Sequence, residues 1–337
     1  MDANDTAIAA TKSPTLVATR GAASVNSTTF GYSVAGATED APTGYKTSTV
    51  SRLNFAGDTS TQVSVANYPV AAGGITGATG NTDFGYISGG YTPAVLSSVY
   101  RMDYSSDSIA ASPKGPLTSS VYRNAAAGNQ SFGYAGGGAT GNGGPDVTTV
   151  DRIDYSNDTP TTSLKGPLSS ARQYHTAHGN ANFGYFVGDK GNGAPGGGSV
   201  IDRIDYGNDT STASPKGALS PDVGYFSGTG SASFGYSGGG SPKNSRINRI
   251  DYSNDNITTT TVGNLVNGRR YLAGVGTKDY GYFGGGFSPA ISTIQRIDYS
   301  NDSAALVAKG PMSASKYSRG AAGNRSYGYF SGGDPSP

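Results

Sequence analysis

The sequence lacks cysteine and tryptophan altogether and contains only two histidines. Without cysteine, a disulfide framework, a thiolate metal site and a cysteine nucleophile are excluded. Charge is also scarce, with 14% charged residues and a formal net charge of +1. This balance predicts neither a phosphate-binding nucleic-acid surface nor a polybasic membrane contact.

Long apolar segments are missing as well. No run approaches the roughly 18 apolar residues of a membrane span, and residues 1–11 lack the basic start and apolar core of a signal peptide. We therefore expect no membrane insertion and no export signal. A protein of this kind that acts outside a cell would leave it by lysis or within a larger particle, so the expected location is a virion or an extracellular surface.

Glycine and tyrosine are abundant, and they recur in a repeated pattern. Residues 296–302 read Arg-Ile-Asp-Tyr-Ser-Asn-Asp, and exact or looser copies of this motif recur along the chain. The arginine that begins each copy is at Arg52, Arg101, Arg152, Arg203, Arg249 and Arg296. A second motif, aromatic-Gly-Tyr, precedes each copy and begins at residues 30, 84, 132, 183, 234, 280 and 327. A spacing of about 50 residues is typical of a repeat architecture.

Each unit is predicted to form four short strands. A small, apolar first strand leads through a Gly-Asn turn, such as Gly128-Asn129, into a second strand that carries aromatic-Gly-Tyr. The third strand carries Arg-Ile-Asp-Tyr, with Ile153 and Tyr155 on one face and Arg152 on the other. A Ser-Asn-Asp turn then leads to a threonine-rich fourth strand that ends at Lys-Gly-Pro-Leu.

The repeat resembles the kelch repeat over essentially the whole chain. The resemblance lies in the order of its parts, which are a glycine pair, a variable loop, Arg-Ile-Asp-Tyr, a turn, Pro-Leu, Gly-Asn and aromatic-Gly-Tyr. The repeat departs from kelch because the outer-strand tryptophan is missing. The resemblance implies an all-β, seven-bladed propeller with four-stranded antiparallel blades. The phrase Asp-Tyr-Ser-Asn-Asp-Thr at residues 154–159 also resembles repeat tracts in structural proteins of marine cyanobacterial phages.

The predicted fold is one propeller domain over residues 1–337. Its blades are expected at approximately residues 17–65, 66–116, 117–167, 168–218, 219–264 and 265–311, with a seventh at 312–337 that is closed by residues 1–16. In that closing segment, Asn4-Asp5-Thr6 resembles the start of a fourth strand. Pairing of the N-terminal strand within the C-terminal blade would remove an open sheet edge.

The paired aspartates of the repeat, such as Asp154 with Asp158, have two interpretations. They could ligate Ca²⁺, but a calcium site normally takes more carboxylates, and Ser-Asn-Asp is also ordinary turn chemistry. Recurrence in nearly every unit favours the turn. The arginine of the motif could bind an anion, but strands between neighbouring blades are buried, so inter-blade ion pairs and hydrogen bonds are the favoured prediction.

No catalytic or metal constellation is apparent. His175 and His178 stand three residues apart on a predicted strand, which places their rings on opposite faces, and no third ligand lies nearby in the sequence. The glycine-rich residues 191–198 lack the Gly-Lys-Ser/Thr of a phosphate loop. Kelch-like copper radical oxidases need a cysteine linked to tyrosine, which this chain does not contain. We therefore predict no cofactor, no metal and no enzymatic activity.

Binding is expected on one rim of the propeller. The first-to-second and third-to-fourth turns are short and uniform, whereas the loops that open on the other face vary between units. The candidate binding residues on this variable rim are Tyr45, Tyr91, Asn142, Asp146, Arg172, Tyr174, His175, Asp189, Lys190, Asn192, Lys243, Arg270, Tyr271 and Phe287. Absence of constraint would also let these loops vary.

The predicted function is a non-enzymatic binding or structural module of a phage virion, as a tail-fibre, receptor-binding or decoration protein. Its expected partners are a host-surface glycan or protein, or neighbouring virion proteins, without nucleic acid. Two alternatives stay open: a propeller lyase or hydrolase that acts on polysaccharide, and a purely architectural repeat in an assembly.

Overall fold

The computed structural model describes residues 21–37, 46–56, 63–74, 77–107, 110–189, 198–220, 224–256, 259–287, 290–317 and 320–335. The regular structure in these ranges is β-strand. Most strands belong to four-stranded antiparallel sheets in which the strands pair in chain order, as predicted. We refer to each of these sheets as a blade. Within the same ranges, no helix has the length and apolar character needed to cross a membrane.

The blades are built from the following strands. Blade 1 contains β1 (Ala23–Asn26), β2 (Phe30–Ala37), β3 (Lys46–Asn54) and β4 (Val63–Asn67). Blade 2 contains β5 (Gly77–Gly80), β6 (Phe84–Ser88), β7 (Val99–Asp103) and β8 (Ser112–Lys114), and blade 3 contains β9 (Ala125–Gly128), β10 (Phe132–Gly136), β11 (Val150–Asp154) and β12 (Ser163–Leu164). Blade 4 contains β13 (Thr176–Gly179), β14 (Phe183–Asp189), β15 (Gly198–Asp205) and β16 (Ser214–Pro215). Blade 5 contains β17 (Ser227–Gly230), β18 (Phe234–Gly238), β19 (Arg246–Asp251) and β20 (Thr260–Asn264), and blade 6 contains β21 (Ala273–Gly276), β22 (Tyr280–Gly284), β23 (Ile294–Asp298) and β24 (Val307–Lys309).

The predicted count of seven blades is wrong, because the described residues form six four-stranded blades. In the last repeat, the described residues form a hairpin of β26 (Gly320–Gly323) and β27 (Gly328–Ser331). A separate two-stranded sheet joins β25 (Lys316–Tyr317) to β28 (Asp334–Pro335). Residues 1–16, which were predicted to close the ring, lie outside the described residues, and the described strands do not form a closed ring of seven blades.

The first strands lie side by side at the centre of the array. β1 contacts β5, and the series continues through β9, β13, β17 and β21, while β26 contacts both β21 and β1. Small side chains such as Ala125 and Ala127, both buried, suit this crowded position because they allow neighbouring backbones to approach closely. The small, apolar first strand of each repeat is explained by this packing.

The boundary between blades 3 and 4 is held by one carboxylate. Asp209, in the turn after β15 of blade 4, accepts a hydrogen bond from the Tyr134 hydroxyl of blade 3 at 2.8 Å. The same carboxylate forms ion pairs with Arg152 at 2.9 Å and with Lys165 at 3.2 Å, both from blade 3. Burial of Asp209 opposes its ionisation, but these three donors outweigh the burial and lower the pKa of Asp209.

Equivalent clusters hold four other boundaries. Asp107 accepts from Tyr32 and Arg52, Asp158 from Tyr86, Arg101 and Lys114, Asp255 from Tyr185, Arg203 and Lys216, and Asp302 from Tyr236 and Arg249. The predicted inter-blade ion pairs are therefore confirmed. In these five clusters, the partner of the arginine is the second aspartate of the next blade's repeat.

The first aspartate of each repeat forms the turn. The Asp154 carboxylate accepts a hydrogen bond from the Ser156 hydroxyl at 2.7 Å and another from the Ser156 N–H at 3.0 Å. The hydroxyl contact, followed by backbone donors, lowers the pKa of Asp154. The turn interpretation is confirmed, and in the described part of the chain no group of three His, Asp or Glu side chains could hold a metal ion.

Aromatic side chains complete each boundary. The Arg152 guanidinium lies 4.4 Å from the centre of the Phe132 ring, the first residue of aromatic-Gly-Tyr in the same blade. The Tyr134 ring stacks on Tyr206 of the next blade, with ring centres 4.8 Å apart. Such aromatic pairs contribute about 0.5–1.5 kcal/mol beyond the area they bury. Most of the conspicuous residues of the repeat therefore stabilise the contact between one blade and the next.

Gly166 allows the end of blade 3 to lie against the turn of blade 4. Its N–H donates to the backbone carbonyl of Asp209 at 2.9 Å, and a Cβ at this position would lie 1.7 Å from the carbonyl oxygen of Ser211. We expect Gly166→Ala to push the two blades apart and to lower the free energy of unfolding by about 1–3 kcal/mol. Chemical denaturation measures this loss.

Gly207→Ser is the control for that experiment. A Cβ on Gly207 would meet only a carboxylate oxygen of Asp205, at 3.3 Å, and serine occupies the same turn position in blades 2, 3, 5 and 6. The control should unfold like the wild type. Equal losses in the two variants would contradict the packing argument.

Candidate binding site

A pocket lies at the centre of the face on which the variable loops open, where the first strands begin. Its volume is about 580 Å³, within the usual range for a small-molecule site. We call it the loop-side pocket and define it by Arg123, Tyr174, Tyr225, Arg270, Tyr271, Phe287 and Tyr317. Residues from several blades meet here, so no single repeat contains the site.

In blades 3 to 6, a large residue with a left-handed backbone conformation stands at the equivalent position, just before the first strand. Arg123, Tyr174, Tyr225 and Tyr271 have φ between 56° and 59°. The Tyr225 N–H donates to the Tyr174 carbonyl at 3.1 Å, and the Tyr271 N–H donates to the Tyr225 carbonyl at 2.9 Å. A left-handed conformation costs about 1–3 kcal/mol at each non-glycine residue. Such strain, held in place by hydrogen bonds beside a pocket, is typical of a functional site.

Aromatic rings form an arc around the pocket. The ring centres are separated by 4.1 Å between Tyr174 and Tyr225, by 4.8 Å between Tyr225 and Tyr271, by 6.1 Å between Tyr271 and Tyr317, and by 5.0 Å between Tyr317 and Phe287. Burial raises the pKa of Tyr271 to about 12. Its hydroxyl is therefore neutral near pH 7 and can donate as well as accept a hydrogen bond.

Arg123 lies at one end of this arc. Its guanidinium is 4.3 Å from the ring centre of Tyr122 and 4.3 Å from that of Tyr174. It also donates to the side-chain oxygen of Gln173 at 3.1 Å. Two ring faces and one hydrogen bond hold this cation in place beside the pocket.

Arg270 supplies a second cation. Its guanidinium lies 5.2 Å from the centre of the Tyr271 ring and 5.6 Å from that of Phe287. Among the described residues, neither Arg123 nor Arg270 forms an ion pair, and none of those that line the pocket is an aspartate or glutamate. The described lining is therefore aromatic and cationic.

Five of the sequence-predicted rim residues line this pocket: Tyr174, His175, Arg270, Tyr271 and Phe287. Tyr91 lies just outside it, with its ring centre 5.6 Å from that of Tyr122. His175 is buried, and the burial, with the nearby Arg172 charge, lowers the pKa of His175 to about 3. This imidazole is neutral near pH 7.

Arg172 does not reach the rim. Its side chain is fully buried, and it forms an ion pair with the equally buried Asp202. Backbone carbonyls of Phe186, Gly188 and Val200 lie 3.3–3.4 Å from its Nη1 atom. Arg172 therefore stabilises the interior of blade 4 and is not placed to contact a ligand.

The remaining predicted residues are dispersed. Asn142 and Lys243 are exposed on separate loops, and Asp146 is half-buried in a backbone bridge with Ala139. Asp189 is the last residue of β14, and its side chain is not among the described groups. Tyr45, Lys190 and Asn192 lie outside the described residues, so their place on the rim stays a prediction.

Sequence reasoning missed Arg123 and Tyr225. Both belong to a regular pattern, because Arg123, Tyr174, Tyr225 and Tyr271 each precede by five residues the glycine that ends their first strand, at positions 128, 179, 230 and 276. An alignment of the repeats on that glycine would have shown that these four residues are at equivalent positions. Their equivalence was not recognised because the residue type is arginine in blade 3 and tyrosine in blades 4 to 6.

A larger cavity of about 870 Å³ opens on the opposite face. Its lining is mostly short turns, in which polar side chains bond to the backbone. The side-chain oxygen of Asn81 accepts a hydrogen bond from the Asp83 N–H at 2.9 Å, and the side-chain NH₂ group of Asn81 donates to the Gln130 backbone carbonyl at 3.3 Å. These groups stabilise turns and neighbouring blades, so we favour the loop-side pocket as the binding site despite its smaller volume.

Comparison with known proteins supports the fold. The solved structure of YjhT matches this chain with a TM-score of 0.68 at 10% sequence identity, over 88% of this chain and 99% of that one. The fold is a β-propeller. No protein-family model and no curated protein sequence matches the chain. The kelch and phage-protein resemblances therefore rest on the repeat motifs alone.

Proposed function

We propose that this propeller is a non-enzymatic binding module and that its ligand is a saccharide held in the loop-side pocket. The observation that carries the proposal is the arc of Tyr174, Tyr225, Tyr271, Tyr317 and Phe287 around a pocket of about 580 Å³. The C–H groups on the face of a pyranose ring pack well on aromatic rings. Tyrosine adds hydrogen-bonding capacity at low cost in side-chain entropy.

A binding role is also supported by the strained backbone of the pocket. Blade 1 has Gly21 at the position equivalent to Tyr225, and Gly21 also has positive φ. Glycine would adopt this conformation without strain in the other blades as well. The large residues that occupy it instead are explained if their side chains contact a ligand.

Tyr225→Gly tests the proposal. The change should leave the unfolding temperature nearly unaltered, since the relief of strain offsets the lost contacts and the greater entropy of the unfolded chain. Binding to a glycan array should fall at least about tenfold, because the central ring of the arc is removed. Leu164→Ala, on the exposed outer strand of blade 3, is the control. Binding that persists unchanged in Tyr225→Gly would rule out this pocket as the site.

The polysaccharide lyase or hydrolase stays an alternative. Glycoside hydrolases commonly use paired carboxylates, and the described residues that line the pocket include neither aspartate nor glutamate. The non-catalytic proposal is therefore preferred over a hydrolase.

We further propose that the module belongs to a phage particle, as a tail-fibre, receptor-binding or decoration protein. The support is the repeated phrase Asp-Tyr-Ser-Asn-Asp, as in residues 154–158. Mass spectrometry of purified particles should detect peptides of this chain. Their absence from particles whose other structural proteins are detected would contradict the assignment.

A further inference from the structure

We infer that the saccharide bound in the loop-side pocket carries a carboxylate. This inference rests on the proposed function and adds the chemical class of the ligand. The observations that carry it are the positions of Arg123 and Arg270 and the charges that surround them.

Arg123 is held as a preformed cation. Its guanidinium lies 4.3 Å from two ring centres, those of Tyr122 and Tyr174, and one N–H group donates to Gln173. A guanidinium has five N–H donors in a fixed plane, so donors remain after this single side-chain bond. Stacking on aromatic faces leaves the edge of the guanidinium available, and a carboxylate binds to that edge through two parallel hydrogen bonds.

Arg270 shares the pocket with Arg123. It contacts Tyr271 and Phe287 through their ring faces and forms no ion pair with a described residue. The pocket therefore holds two cations in a chain whose overall charge is only +1. Elsewhere in this protein, arginines beside aromatic rings have a carboxylate partner, as Arg152 has in Asp209. Among the described residues neither Arg123 nor Arg270 has such a partner, and a ligand would supply it.

Among the described residues, the carboxylates on this side of the propeller do not replace that partner. Asp146 influences the pKa of Tyr122 through its charge, but it forms no ion pair with Arg123. Asp334 pairs through its backbone with Tyr317, and its side chain is buried. A neutral sugar would use only the aromatic arc, and no described residue would then supply a counter-charge to either guanidinium group. A uronic or other carboxylate-bearing sugar uses both features.

The test compares two forms of one ligand. Tri-galacturonic acid and its methyl ester have the same sugar rings, but only the acid is charged. By isothermal titration calorimetry, the acid should bind at least about tenfold more tightly than the ester, since hydrogen bonds from a guanidinium to an ionised carboxylate are stronger than those to a neutral ester. The affinity for the acid should also fall with added salt, while that for the ester should not.

The arginine variants locate the effect. In the double variant Arg123→Gln/Arg270→Gln, the ratio of the two affinities should fall towards one. Arg123→Lys should retain charge but lose part of the preference, because an ammonium cannot form the paired hydrogen bonds. Arg246→Gln, an exposed arginine that contacts Ser220 outside the pocket, is the matched control and should keep the full preference.

The outcomes separate this inference from the proposed function. Equal binding of acid and ester, or a preference for the ester, would overturn the inference and leave a neutral-sugar module. If neither form binds but a neutral glycan on the array does, the inference is again wrong and the proposed function stands. If no acidic or neutral saccharide binds, both are wrong.

Discussion

Arg172→Met should lower the free energy of unfolding by about 3–5 kcal/mol, the usual loss when one partner of a buried ion pair is removed. The side chains of Arg172 and Asp202 are both inaccessible to solvent. Without the arginine, the Asp202 carboxylate keeps the Ser169 N–H, at 2.9 Å, but loses its counter-charge. Denaturant unfolding of purified variants measures the loss.

Arg269→Met is the matched control, because Arg269 occupies in blade 6 the position that Arg172 occupies in blade 4. Arg269 is also fully buried, but the residue equivalent to Asp202 is Gln295, whose side-chain oxygen accepts the Val266 N–H at 2.9 Å. Burial without a counter-charge lowers the pKa of Arg269 to about 10. Within the described residues, its Nε and Nη1 atoms have no hydrogen-bond partner. Its replacement by an apolar chain should therefore change stability by less than about 1 kcal/mol, or increase it.

The double variant Arg172→Met/Asp202→Leu completes this experiment. Replacing both members of a buried pair by apolar groups is often close to neutral, so most of the stability lost in Arg172→Met should return. If the single and double variants were equally unstable, the loss would come from packing and the electrostatic explanation would fail.

Asp209→Asn should destabilise the propeller by about 3 kcal/mol, because it removes the charge on which three side chains of the neighbouring blade converge. Tyr134, Arg152 and Lys165 all contact this carboxylate. Arg152 is 23% exposed, so water compensates part of the loss and the estimate is at the low end for a buried pair.

Asp205→Asn provides the comparison within the same turn. Asp205 accepts the Gly207 N–H at 2.9 Å in an exposed position, and asparagine can accept the same hydrogen bond. Asp205→Asn should lower the free energy of unfolding by less than about 1 kcal/mol. Both values come from denaturant titration, and equal values would mean that the contact between blades adds no more stability than the turn does.

The repeat made the blade predictable. A strand with Arg152 and Tyr155 on opposite faces, a Ser-Asn-Asp turn and an inter-blade ion pair all follow from local pattern and alternation. The identity of the ion-pair partner does not, since Asp154 and Asp158 both lie near Arg152 in sequence and its actual partner, Asp209, is 57 residues away. Only the stacking of blades selects that partner.

The number of blades could not be obtained by counting motifs. Aromatic-Gly-Tyr occurs seven times, but that motif specifies only a second strand. The last copy, at residues 327–329, overlaps β27, and the described residues after β27 form only the two-residue strand β28, with no Arg-Ile-Asp-Tyr strand between them. A motif count therefore gives an upper limit for the number of complete sheets.

The pocket was predictable only in part. Tyr174, Arg270, Tyr271 and Phe287 were recognised because they stand in variable segments beside predicted strands, and they do converge. Arg172 was misplaced because it is two residues from Tyr174 at the same strand entrance, and sequence does not show which of these side chains turns inward. The left-handed backbone at Tyr174 separates the two, and nothing in a tyrosine predicts such a conformation.

The carboxylate clusters between blades give the propeller a polarity. At each described boundary, one blade supplies the donors and the following blade supplies the acceptor, so the contact is head-to-tail. A single repeat therefore carries one complete donor set and one acceptor. Genetic duplication or loss of one such unit would rejoin two matching surfaces, which allows proteins built on this repeat to change their number of blades in evolution without designing a new interface.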